Sequence, residues 1–159
     1  TPPRILRRRL PRMRSRQHCS VRNGRRSDSI QQIIDVATWL CVKRCGACCH
    51  LDPTERPELE DYLCAEELEI YLSLVGADGW CIHFDRENRD CRIYSARPRF
   101  CRVRADVFQD LYGVEPEELN DFAIDCCQQQ IEGVYGDRSP EMERFNAAVG
   151  WEEESGSGE

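Results

Sequence analysis

The 159-residue sequence contains no apolar run of about 18 residues, the length that a membrane-spanning helix needs. It also has no apolar segment of the kind that forms the centre of a secretory signal. A glycine-rich nucleotide loop, a catalytic nucleophile motif and paired carboxylates at a defined spacing are missing too. These absences argue against a membrane protein, an exported protein and the common nucleotide-dependent enzymes.

Acidic residues are absent from the first 27 positions, which contain ten arginines. Residues 28–159 hold 12 basic and 29 acidic side chains, a balance of 12 − 29 = −17. The arginine-rich, acid-free composition of residues 1–27 is typical of an organelle transit peptide. A disordered basic arm that binds RNA or membrane phosphates is the alternative. We predict a transit-peptide-like arm over 1–27, one metal-binding domain over 28–150 and a disordered acidic tail over 151–159.

Helical periodicity dominates the predicted domain. Apolar residues at helical spacing predict a helix from about residue 27 to Leu40 that leads directly into Cys41. One or two acidic helices follow over 51–75, with Leu72 among the inward-facing residues. Residues 105–114 are also predicted to be helical.

Two further helices are predicted near the C-terminus. The first begins with Pro116 in its first turn, and the second has Ser139 as N-cap and Pro140 at the first helical position. Residues 80–94 instead alternate in character around the polar centre DREN and predict a β-hairpin that turns at Arg86 and Glu87. The expected fold is a mainly helical α+β single domain with a small cysteine-bearing β-hairpin, organised around one or more thiolate metal sites.

Eleven cysteines are the most unusual feature of the composition. Their odd number, the two adjacent pairs Cys48–Cys49 and Cys126–Cys127, and the lack of an export signal argue against a disulfide framework. Metal binding fits better, because Cys45 and Cys48 have the short spacing that lets two thiolates reach one ion. Cys41 is placed to add a third thiolate, and Cys49, pointing away from Cys48, to serve the same cluster or a second centre.

The hairpin predicts a second group of thiols. With the turn at Arg86 and Glu87, Cys81 and Cys91 lie opposite each other on adjacent strands, and the segment RPRFC brings Cys101 nearby. A fourth thiol is left open among Cys49, Cys126 and Cys127. Because successive helical residues differ by about 100° around the axis, at most one of Cys126 and Cys127 faces a given site.

The predicted ligands therefore form one set of nine cysteines. They are Cys41, Cys45, Cys48, Cys49, Cys81, Cys91, Cys101, Cys126 and Cys127. Thiolates select a soft or borderline ion, so the cofactor is zinc or iron in an iron–sulfur cluster, and the spacing does not choose between them. Seven arginines between Arg86 and Arg104 either offset the charge of the thiolates or pair with surface acids.

The motifs CGACC and WCIHF…CRIYSARPRFCR resemble the YkgJ-type cysteine-cluster family, which is described as zinc- or iron-chelating. The resemblance covers roughly residues 41–103 and matches six cysteines position by position: Cys45, Cys48, Cys49, Cys81, Cys91 and Cys101. Cys41 departs from the common spacing, with three residues rather than two before Cys45. The C-terminal part is similar to the cyanobacterial and chloroplast version, which implies that the basic arm is a chloroplast transit peptide.

We therefore expect a non-catalytic assembly, metal-handling or redox-sensing protein of the chloroplast stroma, with protein partners. The acidic body makes nucleic acid an unfavourable partner. Because the same kind of domain occurs in flagellin lysine N-methylases, a cluster-dependent S-adenosylmethionine N-methyltransferase is one alternative implied by the resemblance. A zinc-stapled protein-interaction module is the other.

Overall fold

The structure, a computed structural model, describes residues 37–151. It contains five α-helices: α1 Leu59–Tyr62, α2 Ala65–Leu74, α3 Ala105–Tyr112, α4 Leu119–Tyr135 and α5 Pro140–Val149. The two strands are β1 Phe84–Asp85 and β2 Asp90–Cys91, and four 3-10 helices lie at Ala47–Cys49, Pro53–Glu55, Tyr94–Ala96 and Arg99–Cys101. The predicted mainly helical α+β fold with a small hairpin is confirmed. The predictions for residues 1–36 and 152–159 lie outside the described residues.

Helix α5 begins as its sequence predicts. The Ser139 hydroxyl accepts a hydrogen bond from the Met142 backbone N–H at 3.2 Å, and Pro140 occupies the first helical position. Proline suits this position because the backbone N–H that it lacks would have no hydrogen-bond partner in the first turn of a helix. The helix ends at Gly150, whose φ of 74° is in the left-handed region that terminates helices.

Helix α4 begins later than predicted, at Leu119. Pro116 lies before it in a tight turn, in which the Glu118 N–H donates to the Glu115 carbonyl at 3.0 Å. The Leu119 N–H donates to the Pro116 carbonyl at 3.4 Å. These bonds span three residues rather than four, so the segment is a turn and not the first turn of the helix.

The predicted helix before Cys41 is wrong for its last four residues, 37–40, which are not helical. The Thr38 N–H donates to the Val149 carbonyl at 2.8 Å, and the Trp39 N–H donates to the Asn120 side-chain oxygen at 2.8 Å. Tertiary partners on α4 and α5 thus take the backbone donors that a helix would have used. The earlier part of the predicted helix lies outside the described residues.

Helix α4 separates two hydrophobic cores. The first consists of Leu51, Leu63, Tyr71, Leu74, Val107, Phe108, Leu111, Val114 and Ala123. The second consists of Ala47, Ile124, Ile131, Phe145 and Val149. Because Ala123 and Ile124 are neighbours on α4 yet pack into different cores, two different sides of this helix are buried.

Helix α2 contributes Tyr71 and Leu74 to the first core. Leu72, which was predicted to face inward, is 49% exposed, so that prediction is wrong. Tyr71 and Leu74 are three positions apart and share a side of the helix, whereas Leu72 falls outside that stripe. No helix within the described residues has the length and apolar character needed to cross a membrane.

Candidate metal centre

The segment of residues 41–50, here called the cysteine loop, depends on Gly46. Gly46 has a φ of 63°, a conformation that side chains disfavour. A β-carbon at Gly46 would lie 2.4 Å from the Phe84 ring and 3.0 Å from the Arg89 carbonyl oxygen. The loop can therefore turn between Cys45 and Cys48 and pack closely against the hairpin only because this residue is glycine.

Helix α4 holds the cysteine loop from the other side. The Tyr135 hydroxyl donates to the Cys45 carbonyl at 2.6 Å, and the Gln130 side-chain amide donates to the Ala47 carbonyl at 3.0 Å. Ala47 is 2% exposed and packs in the second core with Ile131. Two long-range hydrogen bonds and a buried alanine thus fix the backbone that carries Cys45 and Cys48.

The start of the hairpin lies against the end of the cysteine loop. The Cys81 N–H donates to the Cys49 carbonyl at 2.7 Å, and His50 forms a β-bridge with Trp80. The Trp80 ring stacks on Phe84 with centroids 4.5 Å apart, and the His50 ring meets Trp80 edge-on at 5.0 Å. These contacts place Cys81 beside Cys49.

The register of the hairpin differs from the prediction. Cys91 pairs with Phe84, and Asp85 pairs with Asp90, so Cys81 does not lie directly opposite Cys91. Cys81 lies before the paired strands, in a tight turn. A 3.0 Å hydrogen bond from the Phe84 N–H to the Cys81 carbonyl closes this turn. Burial nevertheless raises the pKa of Cys81 and the charge of Cys91 raises it further, so the two thiols interact electrostatically.

The turn itself explains the shift in register. An Asp85 carboxylate oxygen accepts from the backbone N–H groups of Glu87 and Asn88, at 3.0 and 3.1 Å. Arg89 then adopts a φ of 57°, which reverses the chain into β2. An aspartate that bonds to the backbone two and three residues later makes a longer turn than the simple two-residue one.

The charge of the Cys48 thiolate acts on thiols from several segments. Burial raises the pKa of five other cysteines, and the Cys48 thiolate raises it further. These five are Cys41, Cys45, Cys81, Cys101 and Cys127. The cysteine loop, the hairpin, the segment that follows it and α4 therefore all carry thiols within the electrostatic range of Cys48.

The two cysteines of the first adjacent pair are in direct contact, although Cys49 was predicted to point away from Cys48. A hydrogen bond from the Cys49 thiol, with help from the charges of Arg97 and Arg56, outweighs burial and lowers the pKa of Cys48 to about 7. The same bond raises the pKa of Cys49, which keeps its proton.

The second adjacent pair is divided. Cys127 interacts with Cys41, Cys45 and Cys48, and its sulfur accepts a hydrogen bond from the Trp39 indole N–H at 3.3 Å. Cys126 contributes to the raised pKa of Tyr112, after burial, and so lies toward the first core. Of the two, Cys127 is the one that interacts with the cysteine loop, and Cys126 lies on another side of the helix.

Several donors point at the sulfur atoms. The His83 N–H donates to the Cys81 sulfur at 3.4 Å, and the Ala47 N–H donates to the Cys45 sulfur. The Tyr94 side chain forms a hydrogen bond with Cys41 that favours its thiolate. Donors stabilise the ionised form of each thiol, which is the form that binds metal. The roles of Trp39, Tyr94 and Tyr135 were missed in the sequence, since no local motif links them to their partners.

Five of the seven predicted arginines act on the thiols or form ion pairs with acids. Arg97 lowers the pKa of Cys41, Cys48 and Cys101 and lies 3.9 Å from the centre of the Tyr94 ring. Four others form ion pairs with carboxylates: Arg86, Arg89, Arg99 and Arg104. Both interpretations of the cluster therefore hold, with charge compensation concentrated at Arg97.

The donor set fits a thiolate-bound metal. The nine predicted ligands carry unpaired thiols, and Cys41 and Cys48 are exposed. Within residues 37–151, no three His, Cys, Asp or Glu side chains stand close enough to hold an ion without rearrangement. Coordination therefore requires rotation about the one χ angle of each cysteine, a change between staggered rotamers. Zinc bound there would cross-link the loop and the hairpin, and iron would add redox chemistry.

The sequence matches the CxxCxxCC family, described as "Putative zinc- or iron-chelating domain", over residues 40–127. This match spans more than half of the 159 residues, and the chain belongs to this family. The matched range includes all nine predicted ligands. No curated protein and no solved structure matches the chain. The predicted cofactor, zinc or iron, is confirmed at that level.

Proposed function

We propose that the chain is a non-catalytic metal-handling protein, which takes up zinc or iron through its cysteines and exchanges the ion with a protein partner. The observation that carries the proposal is the position of Cys48. Cys48 is an exposed residue, and its charge acts on six other cysteines. Its pKa is about 7, because the hydrogen bond from Cys49 outweighs the burial of its sulfur. A ligand that is ionised near neutral pH on an exposed residue can be reached by an incoming thiol or chelator.

The other thiols support this function by contrast. Cys49 is 7% exposed, and burial helps to raise the pKa of Cys101 and Cys127 to about 12. Such thiols lose their protons readily only when a metal ion binds to the sulfur and replaces the proton. Retention of the ion is thus assigned to the buried thiols, and exchange is assigned to the exposed Cys41 and Cys48.

Metal release tests the proposal against the zinc-staple alternative. The full chain is loaded with zinc, and transfer to a chromophoric chelator is followed at increasing chelator concentrations. We expect the rate of transfer to rise with chelator concentration and to exceed the rate of unfolding in the same buffer. A structural staple would release zinc no faster than the chain unfolds, at any chelator concentration. The variant Cys126→Ser, which changes the thiol facing Tyr112, should transfer zinc at the wild-type rate.

We propose the chloroplast stroma as the location. Support comes from the composition of residues 1–27, with ten arginines and no acid. The test is a pair of fluorescent fusions in leaf cells, one with residues 1–159 and one with residues 28–159. Chloroplast fluorescence for the first fusion only is the expected result, and equal distributions would reject the proposal.

A further inference from the structure

Trp39 lies along one side of α4. Its backbone N–H donates to the Asn120 side-chain oxygen at 2.8 Å, and its indole N–H donates to the Cys127 sulfur at 3.3 Å. Ala123, which lies between these two partners on the helix, lines the same cavity as Trp39 and Asn120. Helix positions separated by three and by seven residues share one side, so Trp39 spans about two turns of α4.

The backbone and the ring of Trp39 are both held in place. The Asn120 side-chain amide donates to the Ala37 carbonyl at 2.8 Å, while its oxygen accepts from the Trp39 N–H. Between them, the Thr38 N–H donates to the Val149 carbonyl at 2.8 Å. The Trp39 side chain packs against both hydrophobic cores. The indole N–H therefore has a defined position relative to α4.

The side of α4 that carries Cys127 faces the cysteine loop. Gln130, three positions after Cys127, donates to the Ala47 carbonyl at 3.0 Å. Ile131, four positions after Cys127, packs with Ala47 in the second core. Side chains three and four positions apart lie together on a helix. Cys127 and Cys45 both pack against this core, so the Cys127 sulfur is on the side of α4 that meets the loop.

We propose that Trp39 is a positioning residue of the metal site, and that its indole N–H holds the Cys127 sulfur in place as a ligand of zinc or iron. The inference rests on the proposed function and adds a residue that acts on a ligand without binding the ion. Partners of this kind orient metal ligands and fix their direction. The Asn120 amide supports this role by holding the backbone on both sides of Thr38.

The hydrogen bond is stronger in the metal-bound chain than in the metal-free chain. When a metal ion replaces the proton of Cys127, the sulfur is ionised. A hydrogen bond to a charged acceptor is stronger than one to a neutral acceptor. The indole N–H of Trp39 therefore stabilises the metal-bound state more than the metal-free state, and this difference raises metal affinity.

Zinc affinity in a double-mutant cycle tests the inference. Chelator competition measures it for the full-length wild type, Trp39→Phe, Cys127→Ala and the double variant. Trp39→Phe keeps an aromatic ring and removes the N–H, and it should lower zinc affinity by about tenfold. The same change should have no further effect when Cys127 is already alanine, because the two residues act as one unit. Circular dichroism shows whether each variant is folded.

A second cycle tests the support from Asn120. Asn120→Ala removes the bonds to Ala37 and Trp39, so it should lower zinc affinity in the wild-type chain and have no further effect in Trp39→Phe. The matched control on α4 is Gln128→Ala, which loses a 2.9 Å bond to Asn146. This control should leave zinc affinity unchanged, because Gln128 bonds to α5 and not to the segment before the cysteine loop.

The wild-type chain gives a readout that needs no variant. In a ¹H–¹⁵N correlation spectrum assigned through the backbone, zinc should shift the indole N–H resonance of Trp39 and slow its hydrogen exchange. Alkylation with peptide mapping should show that zinc protects Cys127. An indole signal that zinc leaves unchanged, or a Cys127 that reacts equally with and without zinc, would overturn the inference.

The failures of the two proposals are distinguishable. Equal losses of zinc affinity from Trp39→Phe in the wild-type and Cys127→Ala chains would show that Trp39 acts through packing alone. That result, or unchanged affinity in either single variant, would overturn the positioning role and leave metal handling intact. A wild-type chain that binds neither zinc nor iron would overturn both proposals.

Discussion

The two pairs of adjacent cysteines have opposite arrangements. Cys48 and Cys49 lie on a 3-10 turn, where one thiol donates a hydrogen bond to the other. Cys126 and Cys127 lie within α4, where Cys127 accepts from Trp39 at 3.3 Å and Cys126 lies near Tyr112. Both thiols of the Cys48–Cys49 pair thus belong to the thiol cluster. Of the Cys126–Cys127 pair, only Cys127 does.

Helical geometry accounts for the second case. In an α-helix, successive side chains differ by about 100° around the axis, and different sides of α4 are buried against different cores. In the cysteine loop, Cys48 is exposed and Cys49 is buried, and the hydrogen bond between their thiols keeps both in one cluster. Adjacent cysteines therefore act together where their two thiols meet, and changes to the backbone or to either partner test this comparison.

The largest expected effect is that of Gly46→Ala. A β-carbon there meets the Phe84 ring at 2.4 Å in a left-handed conformation. Overpacking and backbone strain together should lower the free energy of unfolding by about 2–5 kcal/mol. Urea unfolding of the zinc-loaded chain measures it. Gly113→Ala is the control, because Gly113 has a φ of 66° and no atom within 4 Å of the added carbon. Its cost should be only the strain of about 1–2 kcal/mol, and equal losses in the two variants would contradict the packing argument.

Removing the hydrogen bond within the first pair should slow the reaction of Cys48. In the metal-free chain at pH 7, about half of Cys48 is ionised, because its pKa is about 7. Cys49→Ala removes the donor, so the pKa should rise toward an ordinary value and alkylation of Cys48 should slow by about tenfold. Cys49→Ser keeps a donor and should react at nearly the wild-type rate. Equal slowing in both variants would show that the hydrogen bond does not activate Cys48.

The second pair should be unreactive under the same conditions. Burial raises the pKa of Cys126 and of Cys127 to about 12. Peptide mapping of the alkylated, metal-free chain should therefore find Cys48 modified well before either of them. Modification of Cys127 at a rate similar to that of Cys48 would contradict the contrast between the pairs.

A smaller effect is expected from Tyr135→Phe, which removes the hydroxyl that donates to the Cys45 carbonyl at 2.6 Å. One lost hydrogen bond should cost about 1 kcal/mol of stability. Zinc affinity should also fall, because this bond positions the cysteine loop. The control is Tyr71→Phe, which loses a 2.8 Å bond to the Leu51 carbonyl. It should cost similar stability in urea while chelator competition shows unchanged zinc affinity, and a matching loss of affinity would reject the positioning role.

The smallest effect concerns Glu141, which pairs with Arg89 and thereby links α5 to the hairpin. Burial alone would raise its pKa, but hydrogen bonds from its own backbone and from Arg89 hold the pKa below the ordinary value of 4.5. The stability that this shift contributes is present above pH 4.5 and is lost as the pH falls through the folded-state pKa. Glu141→Gln should therefore weaken the fall in the free energy of unfolding as the pH drops below 4.5, measured by urea unfolding at several pH values. Glu143→Gln, an exposed change on the same helix, should leave it as in the wild type.

Local sequence was sufficient for the features that depend on near neighbours. Ser139 and Pro140 define the start of α5, and the metal chemistry follows from the density and spacing of the cysteines. The register of the hairpin was not predictable, because Asp85 closes a longer turn through its side chain. The end of the predicted first helix was wrong because Val149 and Asn120 provide partners more than 80 residues away.

The sequence by itself determined that this chain has thiolates for zinc or iron, placed in a mainly helical domain with one small hairpin. Composition, spacing and helical periodicity are properties of the local chain, and they need no knowledge of distant contacts. Only the tertiary structure decided that Cys127 joins the cysteine loop and that Cys126 does not. That choice depends on the rotation of α4 between its two cores, which is set by the burial of Ala123, Ile124 and Ile131 against residues far away in sequence.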